Sequence, residues 1–523
     1  MRVGQTYDVL QIGYGPVSEG LALMLARKGH RVAVCERWET RYPMPRAVCI
    51  DHELYRVLSA NGMGAVLPTV SQRGPLYQWF NAEWKELLVI DWSADSISGG
   101  PEVNFVHQPT LEEALDQAAS AQPTLETFLG WEATEVTQDD ELAHVRLRQV
   151  ATGEERTLSS RYLIGCDGAN SLVRQTIGGG QEDRGFEADW LVIDVLLKDG
   201  VTIEQLGLPA AGQYCNPVQP TTIVPAGIRG DRTFRRWEFM RLPGQSVEEL
   251  EREERVWELL KPWAGPDDIE LVRHKVYNFR SLLAERWRDR RFLIAGDAAH
   301  VMPPFMGQGM CSGLRDAWNL AWRLDLVLSG KADDRLLDGY EPERRPHVSQ
   351  LIDMSIYLGK IICIPDAEAA AARDRESAGG AVSAGAGLLS PHVTVAATNG
   401  FVGRLDDYTG DGFIILGRGF DPRASLDAAA LDAFDRIGAR LLQIDGATAK
   451  GEIADVDGRL TDFLDAQGWN AAIIRPDFYV YGGAADEGSY LGLARDLIAD
   501  LVANGLNLDS SHHPEVKNET SAL

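Results

Sequence analysis

Small residues and one acid near the start of the chain have the types and spacing of a nucleotide site. In VLQIGYGPVSEG, residues 9–20, Gly13 permits a tight turn, and Gly15 lets a pyrophosphate approach the first turn of a helix. Backbone N–H groups and the helix dipole favour an anion there. Glu36, at the end of the next strand, stands where a carboxylate binds ribose hydroxyls. Ser18 replaces the third glycine but is small, so the segment predicts a dinucleotide site without separating FAD from NAD.

A second segment of this kind, FLIAGDAAHVMPPFMGQGMCSGLRDAWNLAWRL, occupies residues 292–324. A buried strand ends at Gly296, and the carboxylate of Asp297 can accept a hydrogen bond from a sugar or ribityl hydroxyl. Pro303 and Pro304 stiffen the turn that follows. A helix N-terminus after this turn would stabilise negative charge on a reduced flavin. The residues that offer their backbone amides at the start of this helix are Gly307, Gly309 and Met310.

Two further polar residues, Asp167 and His300, lie in turns. Asp167, in LIGCDGANSLVR at residues 163–174, lies in an Asp-Gly turn after a buried strand. Such a turn taken alone is ordinary. His300 allows two interpretations, a base or a histidine that caps a turn.

The first segment requires a β-α-β unit to position it. The apolar pattern predicts a strand at Tyr7–Ile12, a helix at Leu21–Lys28 and a strand at Arg31–Cys35. A helix at Gly313–Leu328 follows the second segment. These elements are typical of an α/β nucleotide-binding fold.

The middle of the chain has a different pattern. Apolar and polar residues alternate in Trp190–Leu197, Thr221–Val224 and Thr233–Met240, which predicts an antiparallel sheet. A helix at Val247–Leu260 interrupts it.

The last third of the chain begins with a predicted linker. Ala369–Ser390 is rich in Ala, Gly and Ser, which is typical of a linker or loop. A segment of about 120 residues follows, with its own strands at Gly412–Leu416 and Ala471–Ile474. It is predicted to be a separate domain.

Composition limits the class of protein. A chain of 523 residues suits two to four domains. The net charge of −26 repels nucleic acid and anionic membrane surfaces, so neither is expected as a partner. The start of the chain leads directly into a strand, and no apolar run is long enough to cross a bilayer. Six scattered cysteines without a C-x-x-C pair indicate reduced thiols of a cytoplasmic protein, with neither a disulfide framework nor a metal site.

The three segments, in this order and spacing, resemble the class A flavoprotein monooxygenases, the single-component FAD-dependent aromatic hydroxylases. The resemblance covers nearly the whole chain. PRAVCIDHE (45–53), QYCNPVQPTTIVP (213–225), RRWEF (235–239) and LLDGYEPERRPH (336–347) are most similar to 3-(3-hydroxyphenyl)propionate hydroxylases and to phenol hydroxylase-like enzymes. FVGRLDDYTGDGFIILGRG and IIRPDFYVYGG resemble the thioredoxin-like domain of the longer members, here without C-x-x-C.

The resemblance implies a fold and domain limits. It implies an α/β (mixed α+β) chain with a discontinuous Rossmann-like FAD-binding domain at residues 1–184 and 281–367. An antiparallel-sheet substrate domain is inserted at residues 185–280, and a thioredoxin-like domain occupies residues 391–510.

The resemblance also implies roles for matched residues. Glu36 and Arg37 would bind the ADP half of FAD, Arg46 and Gln108 would reach the pyrophosphate and the flavin, and Asp167 would serve FAD and the nicotinamide cofactor together. Asp297 would bind the ribityl chain, with Pro304 beside the flavin ring. The other residues expected at the cofactor are Gly13, Gly15, Pro16, Val17, Ser18, Ala133, Gly296, Gly307, Gly309, Met310 and Cys311. Cys311 stands where the family usually has asparagine.

The implied chemistry is hydroxylation of a phenolic ring with O2 and NADH or NADPH, through a flavin C4a-hydroperoxide. The predicted substrate residues are Cys49, Tyr214, Arg236, Tyr277 and Met306. Tyr214 would bind a phenol hydroxyl, or else pack in the core. Arg236 would bind a substrate carboxylate, or else lie on the surface. No catalytic base is identified.

Alternative functions remain open from the sequence. One is a tailoring oxygenase for a polycyclic or heteroaromatic natural product, with hydroxylation or a Baeyer-Villiger outcome. Another is a flavin dehydrogenase or reductase that does not use O2. The expected partners are a small aromatic substrate and O2, and a homodimer is an expectation from the family alone.

Overall fold

The computed structural model describes residues 6–41, 43–376, 388–410, 412–444 and 452–506. The chain divides into two compact units, Met1–Trp318 with Glu343–Ala386, and Asn319–Pro342 with Gly387–Leu523. Both units combine helices with parallel and antiparallel strands, which confirms the mixed α/β class.

The first unit contains nineteen strands among its described residues. In chain order they are β1 (Thr6–Ile12), β2 (Val32–Glu36), β3 (Cys49–Asp51), β4 (Ser71–Arg73), β5 (Leu76–Phe80), β6 (Glu86–Asp91), β7 (Val103–Val106), β8 (Leu125–Leu129), β9 (Trp131–Gln138), β10 (Ala143–Gln149), β11 (Glu155–Gly165), β12 (Gln181–Leu197), β13 (Gly212–Tyr214), β14 (Thr221–Arg229), β15 (Arg232–Met240), β16 (Ile269–Ala284), β17 (Arg288–Asp289), β18 (Phe292–Ile294) and β19 (His300–Val301).

The helices up to residue 376 are connected by loops and short helical turns. They are α1 (Pro16–Arg27), α2 (His52–Leu58), α3 (Leu67–Val70), α4 (Gln108–Ser120), α5 (Leu172–Ile177), α6 (Val247–Leu250), α7 (Glu253–Leu260), α8 (Gly309–Leu328), α9 (Tyr340–Ile362) and α10 (Ala367–Glu376). Short helical turns lie at Ser59–Met63, Gly296–Ala298, Pro304–Met306 and Asp334–Gly339.

A largely parallel sheet contains the predicted β-α-β unit. Its strand order is β17-β18-β11-β1-β2-β8, and β1 pairs in parallel with both β2 and β11. Helix α1 begins at Pro16, five residues before the predicted start at Leu21. Proline suits this first position, because the N–H that it lacks would have no partner within the helix. The Gly15 N-cap therefore lies at the carboxyl end of β1.

An antiparallel sheet forms the other large layer of the first unit. Its order is β19-β16-β12-β15-β14-β13-β5-β6, and only the β13–β5 pair is parallel. One face packs against α6 and α7 in an apolar core that includes Trp237, Phe239 and Leu260. Because successive residues of a strand point to opposite faces, the other face is left for the cavity described below.

The predicted helix Val247–Leu260 is two helices, α6 and α7. The chain is extended at Arg252, with φ −71° and ψ 133°. The carboxylate of Glu251 accepts a hydrogen bond from the backbone N–H of Val276 on β16 (2.8 Å). This tertiary bond fixes the chain at the break.

A small sheet with the order β3-β7-β4 precedes α4. The backbone N–H of Val106 donates to the carbonyl of Val48 (2.7 Å), which ties the chain before β3 to the end of β7. The segment from Arg46 to Cys49 is therefore positioned beside the start of α4.

The second unit contains one seven-stranded sheet among its described residues. Its strands are β20 (Thr394–Ala397), β21 (Val402–Arg404), β22 (Ile414–Arg418), β23 (Arg440–Ile444), β24 (Ile453–Asp455), β25 (Ala471–Ile474) and β26 (Val480–Ala484), in the order β21-β20-β24-β23-β22-β25-β26. Its helices are α11 (Leu405–Thr409), α12 (Ala428–Ile437), α13 (Arg459–Gln467) and α14 (Glu487–Ala503). The predicted strand at Ala471–Ile474 is confirmed.

The predicted linker Ala369–Ser390 is wrong in its first part. Residues 369–376 belong to α10, because a run of alanines has high helix propensity. Residues 377–387 lie outside the described residues. Among those described, no single helix is long and apolar enough to cross a membrane, and one bent pair, Asp334–Ile362 with Ala367–Arg375, passes on length and composition alone.

Candidate active site

A large cavity lies within the first unit. Its volume is about 1070 Å³, and its lining runs from the N-terminus of α1 to one face of the antiparallel sheet. One end has the glycines and charges of a nucleotide site, and the other is mainly apolar. The predicted cofactor residues that line it are Gly13, Gly15, Pro16, Val17, Ser18, Glu36, Arg37, Arg46, Gln108, Ala133, Asp167, Asp297, Pro304, Gly307, Gly309 and Met310.

The nucleotide end is built around the start of α1. Gly13 has φ +92°, and a Cβ there would overlap the carbonyl oxygen of Cys166 at the end of β11. At Gly15 a Cβ would meet only the Arg46 guanidinium, at 3.8 Å. In the part of the chain that the structure describes, no side chain caps this helix. An uncapped helix N-terminus with a guanidinium beside it suits a pyrophosphate.

Glu36 is fixed at the end of β2. Its carboxylate accepts hydrogen bonds from the backbone N–H groups of Tyr14 (3.0 Å) and Trp38 (3.1 Å). A carboxylate has about four acceptor positions, so two remain for ribose hydroxyls. Arg37 is exposed beside it, with its guanidinium 5.0 Å from the ring centre of Trp38.

Replacement of Glu36 by glutamine is expected to weaken FAD binding about 10-fold. The amide NH2 of glutamine would face one of the two backbone N–H donors, and a mismatched hydrogen bond costs about 1–3 kcal/mol. Titration of the apoprotein with FAD measures the change. Glu39→Gln, at an exposed position of the same loop, is the matched control, and equal affinities for the two variants would contradict the role of Glu36.

Gln108 contributes through the loop that carries Arg46. Its side-chain oxygen accepts from the backbone N–H groups of Arg46 (2.7 Å) and Ala47 (2.5 Å), and its NH2 donates to Glu112 (2.5 Å). Gln108 is buried at the start of α4. It therefore orients Arg46 over the helix N-terminus.

Asp167 closes the turn between β11 and α5. One carboxylate oxygen accepts from the backbone N–H of Leu172 (2.7 Å), and the other is buried without a hydrogen-bond partner among the described residues. Burial raises the pKa of Asp167. Its position on the cavity wall next to the Gly13 turn is consistent with contact to a cofactor.

The turn after Pro304 forms another part of the wall. Gly307 has φ +65°, and a Cβ there would lie 2.5 Å from the sulfur of Cys49. Gly309 begins helix α8. Gly296 does not line the cavity but packs against helix α1, since a Cβ at this position would meet Val17 at 3.0 Å.

Cys311 is a correction to the predicted cofactor residues. Its side chain is fully buried in an apolar core with Leu23, Ile50 and Leu314, and it does not line the cavity. The physical reason is its place on α8, where it faces the helices packed behind the cavity wall. Burial raises the pKa of its thiol well above the usual value.

Tyr214 is a second correction. Its ring stacks on Trp84 (4.4 Å between centroids), and its hydroxyl donates to the carbonyl of Ala82 (3.0 Å). On strand β13 the neighbouring residue Gln213 faces the cavity, so Tyr214 points to the opposite side. Alternation along the strand could have revealed Gln213 from the sequence.

Arg236 lines the cavity, but its partners argue against a substrate carboxylate. Its guanidinium donates to Asp194 (2.7 Å) and to the carbonyls of Arg46 (2.6 Å) and Pro45 (2.8 Å). The side chain is buried, so the alternative of a surface charge is wrong. Arg236 instead ties the antiparallel sheet to the loop that carries Arg46.

Three other predicted substrate residues lie on the cavity wall: Cys49, Tyr277 and Met306. The hydroxyl of Tyr277 accepts a hydrogen bond from Arg273 (2.7 Å). Burial raises the pKa of the Cys49 thiol to about 12, so this thiol is not a nucleophile near neutral pH.

Directly paired residues of six neighbouring strands form a row across the cavity face of the sheet, here called the cavity row. In strand order from β6 to β12 it consists of Leu88, Trp79, Gln213, Thr222, Glu238 and Val192. Glu238 is its one acidic member. It lies in the RRWEF motif, which was noted in the sequence without a role for its glutamate.

His300 lies away from the cavity, in a buried charged network. Its Nε2 is 2.6 Å from Asp316, which also accepts from Arg344 (2.8 Å) and from the backbone N–H of Gly296 (3.1 Å). Burial raises the pKa of Asp316, but His300 and Arg344 outweigh it and hold this pKa below its usual value. The network supports the turn before Asp297, and His300 does not face the cavity as a base would.

The chain matches two family models and is similar to known hydroxylases. A family model described as FAD binding domain matches residues 6–355, and one described as HcaD C-terminal domain matches residues 387–497. The chain is 36% identical over 518 residues to a probable NADH-specific resorcinol 4-hydroxylase of Rhodococcus jostii (strain RHA1), with 95% of each chain covered. It is 32% identical over 563 residues to a 3-(3-hydroxy-phenyl)propionate/3-hydroxycinnamic acid hydroxylase of Comamonas testosteroni, covering 90% of this chain and 93% of the relative.

Solved structures share the fold. The flavin-dependent monooxygenase PieE, in complex with FAD and substrate, superposes with a TM-score of 0.80 at 20% identity and covers 96% of this chain and 100% of its own. Aklavinone-11 hydroxylase with FAD and aklavinone gives a TM-score of 0.74 at 22% identity, covering 95% and 100%.

Proposed function

The chain belongs to the family of class A FAD-dependent aromatic hydroxylases, and from this premise we propose that it hydroxylates a small uncharged phenol of the resorcinol type with NADH. It is a flavoprotein monooxygenase that acts on a small aromatic substrate with O2. The proposal concerns which ring enters the cavity and which nicotinamide cofactor supplies the electrons.

The residues at the nucleotide end fit FAD. The uncapped start of α1, the guanidinium of Arg46 and the carboxylate of Glu36 would bind the ADP half, with Asp297 and the turn after Pro304 toward the flavin. Bound FAD, once reduced by a nicotinamide cofactor, supplies an activated oxygen atom derived from O2.

The substrate end of the cavity can exclude water. Its walls are formed mainly by large apolar side chains. These keep water away from the activated oxygen until it reaches the ring. Those side chains are Tyr77, Trp79, Leu88, Ile90, Trp92, Val103, Phe105, Phe279, Met302, Phe305, Met354 and Leu358.

The pairing of charged side chains at this end is the main support for an uncharged substrate. The two arginines on the wall, Arg236 and Arg273, both donate to Asp194, which is fully buried beneath them. Arg236 also forms an ion pair with Glu238 at 3.6 Å. Two guanidinium groups thus face two carboxyl groups, and a substrate carboxylate would enter without a counterion. Burying an unpaired charge costs several kcal/mol.

The size of the cavity favours a single ring. A volume of about 1070 Å³ must hold both FAD and the substrate. Sites for one drug-sized ligand already occupy about 300–1,000 Å³. Because FAD and the substrate share this volume, a single ring fits it more readily than the polycyclic substrate of the tailoring oxygenase considered from the sequence.

The test is a comparison of phenols with the FAD-loaded protein. Resorcinol is expected to stimulate NADH oxidation and O2 uptake and to gain one oxygen atom by mass spectrometry. Its kcat/KM should exceed that of 3-(3-hydroxyphenyl)propionate by at least about 100-fold, which corresponds to about 2.7 kcal/mol. NADPH in place of NADH, and hydrogen peroxide release, are measured in parallel.

Two results would contradict the proposal. A preference for the carboxylated phenol would mean that the wall provides a cation for it. NADH oxidation without O2 uptake, with any phenol tested, would support the alternative of a flavin dehydrogenase or reductase.

A further inference from the structure

Glu238 is the fifth of the six residues of the cavity row. On strand β15 it pairs with Thr222 of β14 on one side and with Val192 of β12 on the other. Its neighbours along the chain, Trp237 and Phe239, point to the opposite face and pack in the apolar core. The position of Glu238 on the cavity side is therefore fixed by the register of three strands.

The carboxyl group of Glu238 differs from the other polar groups of this wall in its partners. Gln213 donates to the hydroxyl of Tyr77 (2.7 Å) and accepts from Thr222 (2.7 Å), and Tyr277 accepts from Arg273. Among the residues that the structure describes, the carboxyl group of Glu238 has no hydrogen bond within 3.5 Å, and its contact with the Arg236 guanidinium is long at 3.6 Å.

The carboxyl group of Glu238 leaves acceptor positions open toward the cavity. Glu238 is only 7% exposed, and it lines the cavity. A buried polar group in this state costs free energy unless a ligand or water completes its bonds. A hydrogen-bond donor of the substrate, such as a phenolic O–H, would complete them.

We propose that Glu238 binds the phenolic hydroxyl of the substrate and accepts its proton during hydroxylation. The proposal rests on the function proposed above and assigns the base that the sequence left unidentified. It gives the glutamate of the RRWEF motif a catalytic role.

The proton transfer to Glu238 and back can be followed through the hydroxylation of the ring, with every atom and electron pair accounted for. As a ring carbon takes up the oxygen atom, the phenolic O–H bond breaks, its proton passes to a carboxylate oxygen of Glu238, and its electron pair forms a C=O bond. The C–H bond at the hydroxylated carbon then breaks, and its proton passes by way of solvent to the newly bound oxygen atom. Its electron pair restores the aromatic ring as the C=O π pair returns to the former carbonyl oxygen. Glu238 returns its proton to the former carbonyl oxygen, so the net change is C–H to C–OH and Glu238 is regenerated as a carboxylate.

The environment of Glu238 suits this exchange. Burial raises its pKa, Arg236 and Arg273 lower it, and Asp194 raises it again, with a net upward direction. Other ionisable groups of the described residues on this wall are Tyr277 on β16, Tyr77 on β5 and Cys49 on β3. A base with a raised pKa is closer to a phenol in proton affinity, which favours transfer in both directions.

The test compares Glu238→Gln with Glu270→Gln, an exposed glutamate on β16 of the same sheet. In Glu238→Gln the kcat for the formation of hydroxylated resorcinol is expected to fall about 100-fold, because general base catalysis contributes roughly 10²–10⁴-fold. FAD content should be unchanged. Resorcinol affinity, followed through the flavin absorbance, should change less than about 10-fold, since the amide oxygen still accepts a hydrogen bond. Glu270→Gln should match the wild type in all three.

The pH dependence separates a base from a structural residue. Glu238 must be ionised to accept a proton, so wild-type kcat should fall as the pH drops through its raised pKa. Glu238→Gln should lose this acid limb, and Glu238→Asp should retain it. If Glu238→Gln binds no FAD, the acid limb in the pH profile of Glu238→Asp decides between a base and a structural residue.

The outcomes distinguish this assignment from the proposed function. An active wild type with Glu238→Gln equally active, or with the acid limb retained, would overturn the role of Glu238 alone. A wild type that hydroxylates no phenol would overturn both. A 100-fold loss with intact FAD binding and a missing acid limb would support both.

Discussion

Gly13→Ala is expected to raise the dissociation constant for FAD by at least about 100-fold. Gly13 has φ +92°, and its added Cβ would overlap the backbone carbonyl of Cys166. The left-handed backbone costs an alanine about 1–2 kcal/mol. Relief of the overlap costs about 1–3 kcal/mol more, because backbone at the end of β11 must move. The turn that presents the start of α1 to the pyrophosphate would be displaced. Titration of the apoprotein with FAD, followed by flavin fluorescence, measures the change.

Two other glycines separate the causes of this loss. Gly153→Ala carries the same backbone penalty at φ +74°, but its Cβ meets nothing within 4 Å, so FAD binding should be unchanged. Gly15→Ala adds a methyl group with only an ordinary contact to Arg46. It should leave the thermal midpoint of the apoprotein unchanged and still weaken FAD binding, because the methyl group occupies the approach of the pyrophosphate. FAD affinity of Gly13→Ala equal to that of Gly153→Ala would contradict this account of the turn.

Arg236→Met is expected to lower the stability of the protein by about 3–5 kcal/mol. The change removes a buried cation that donates to Asp194 and to the carbonyls of Arg46 and Pro45. Asp194 keeps Arg273, but Glu238 loses its nearest recorded ion-pair partner. Breaking a buried ion pair on one side leaves an uncompensated charge, which is the reason for the large cost. A fall of several degrees in the midpoint of thermal unfolding would record it.

Arg241→Met is the matched control for this effect. Arg241 also pairs with an aspartate, Asp189 at 2.7 Å, but 35% of its side chain is exposed. Exposed ion pairs contribute about 0–1 kcal/mol. Similar midpoints for the two variants would mean that Arg236 does not tie the sheet to the Arg46 loop.

The nucleotide end of the cavity was largely predictable from local sequence. A strand, a glycine turn and a helix N-terminus occupy consecutive residues, so the positions of Gly13, Gly15 and Glu36 follow from one β-α-β unit. The predicted start of α1 at Leu21 is five residues too late, because Pro16 at the first helical position carries no apolar periodicity. The role of Gln108 in orienting Arg46 could not be predicted, since the two lie 62 residues apart.

The substrate end was predicted less well. The chemistry of Arg236 and Tyr214 suggests substrate contacts, but the face of the strand on which each lies and the partners of each depend on the fold. Glu238 belongs to the RRWEF motif, but no local pattern assigns it a role. Its isolation depends on where Asp194, Arg236 and Arg273 meet, and these residues come from three strands.

The sequence by itself determined the α/β class, the dinucleotide turn and the family, because these depend on residues that are neighbours in the chain. Only the tertiary structure decided how the charges at the substrate end are paired. Strand register sets which side chains share a face, and burial sets which of them must find a partner. That physical difference is why Arg236 ties two segments together, while the carboxyl group of Glu238 faces the cavity with no hydrogen bond within 3.5 Å in the described part of the chain.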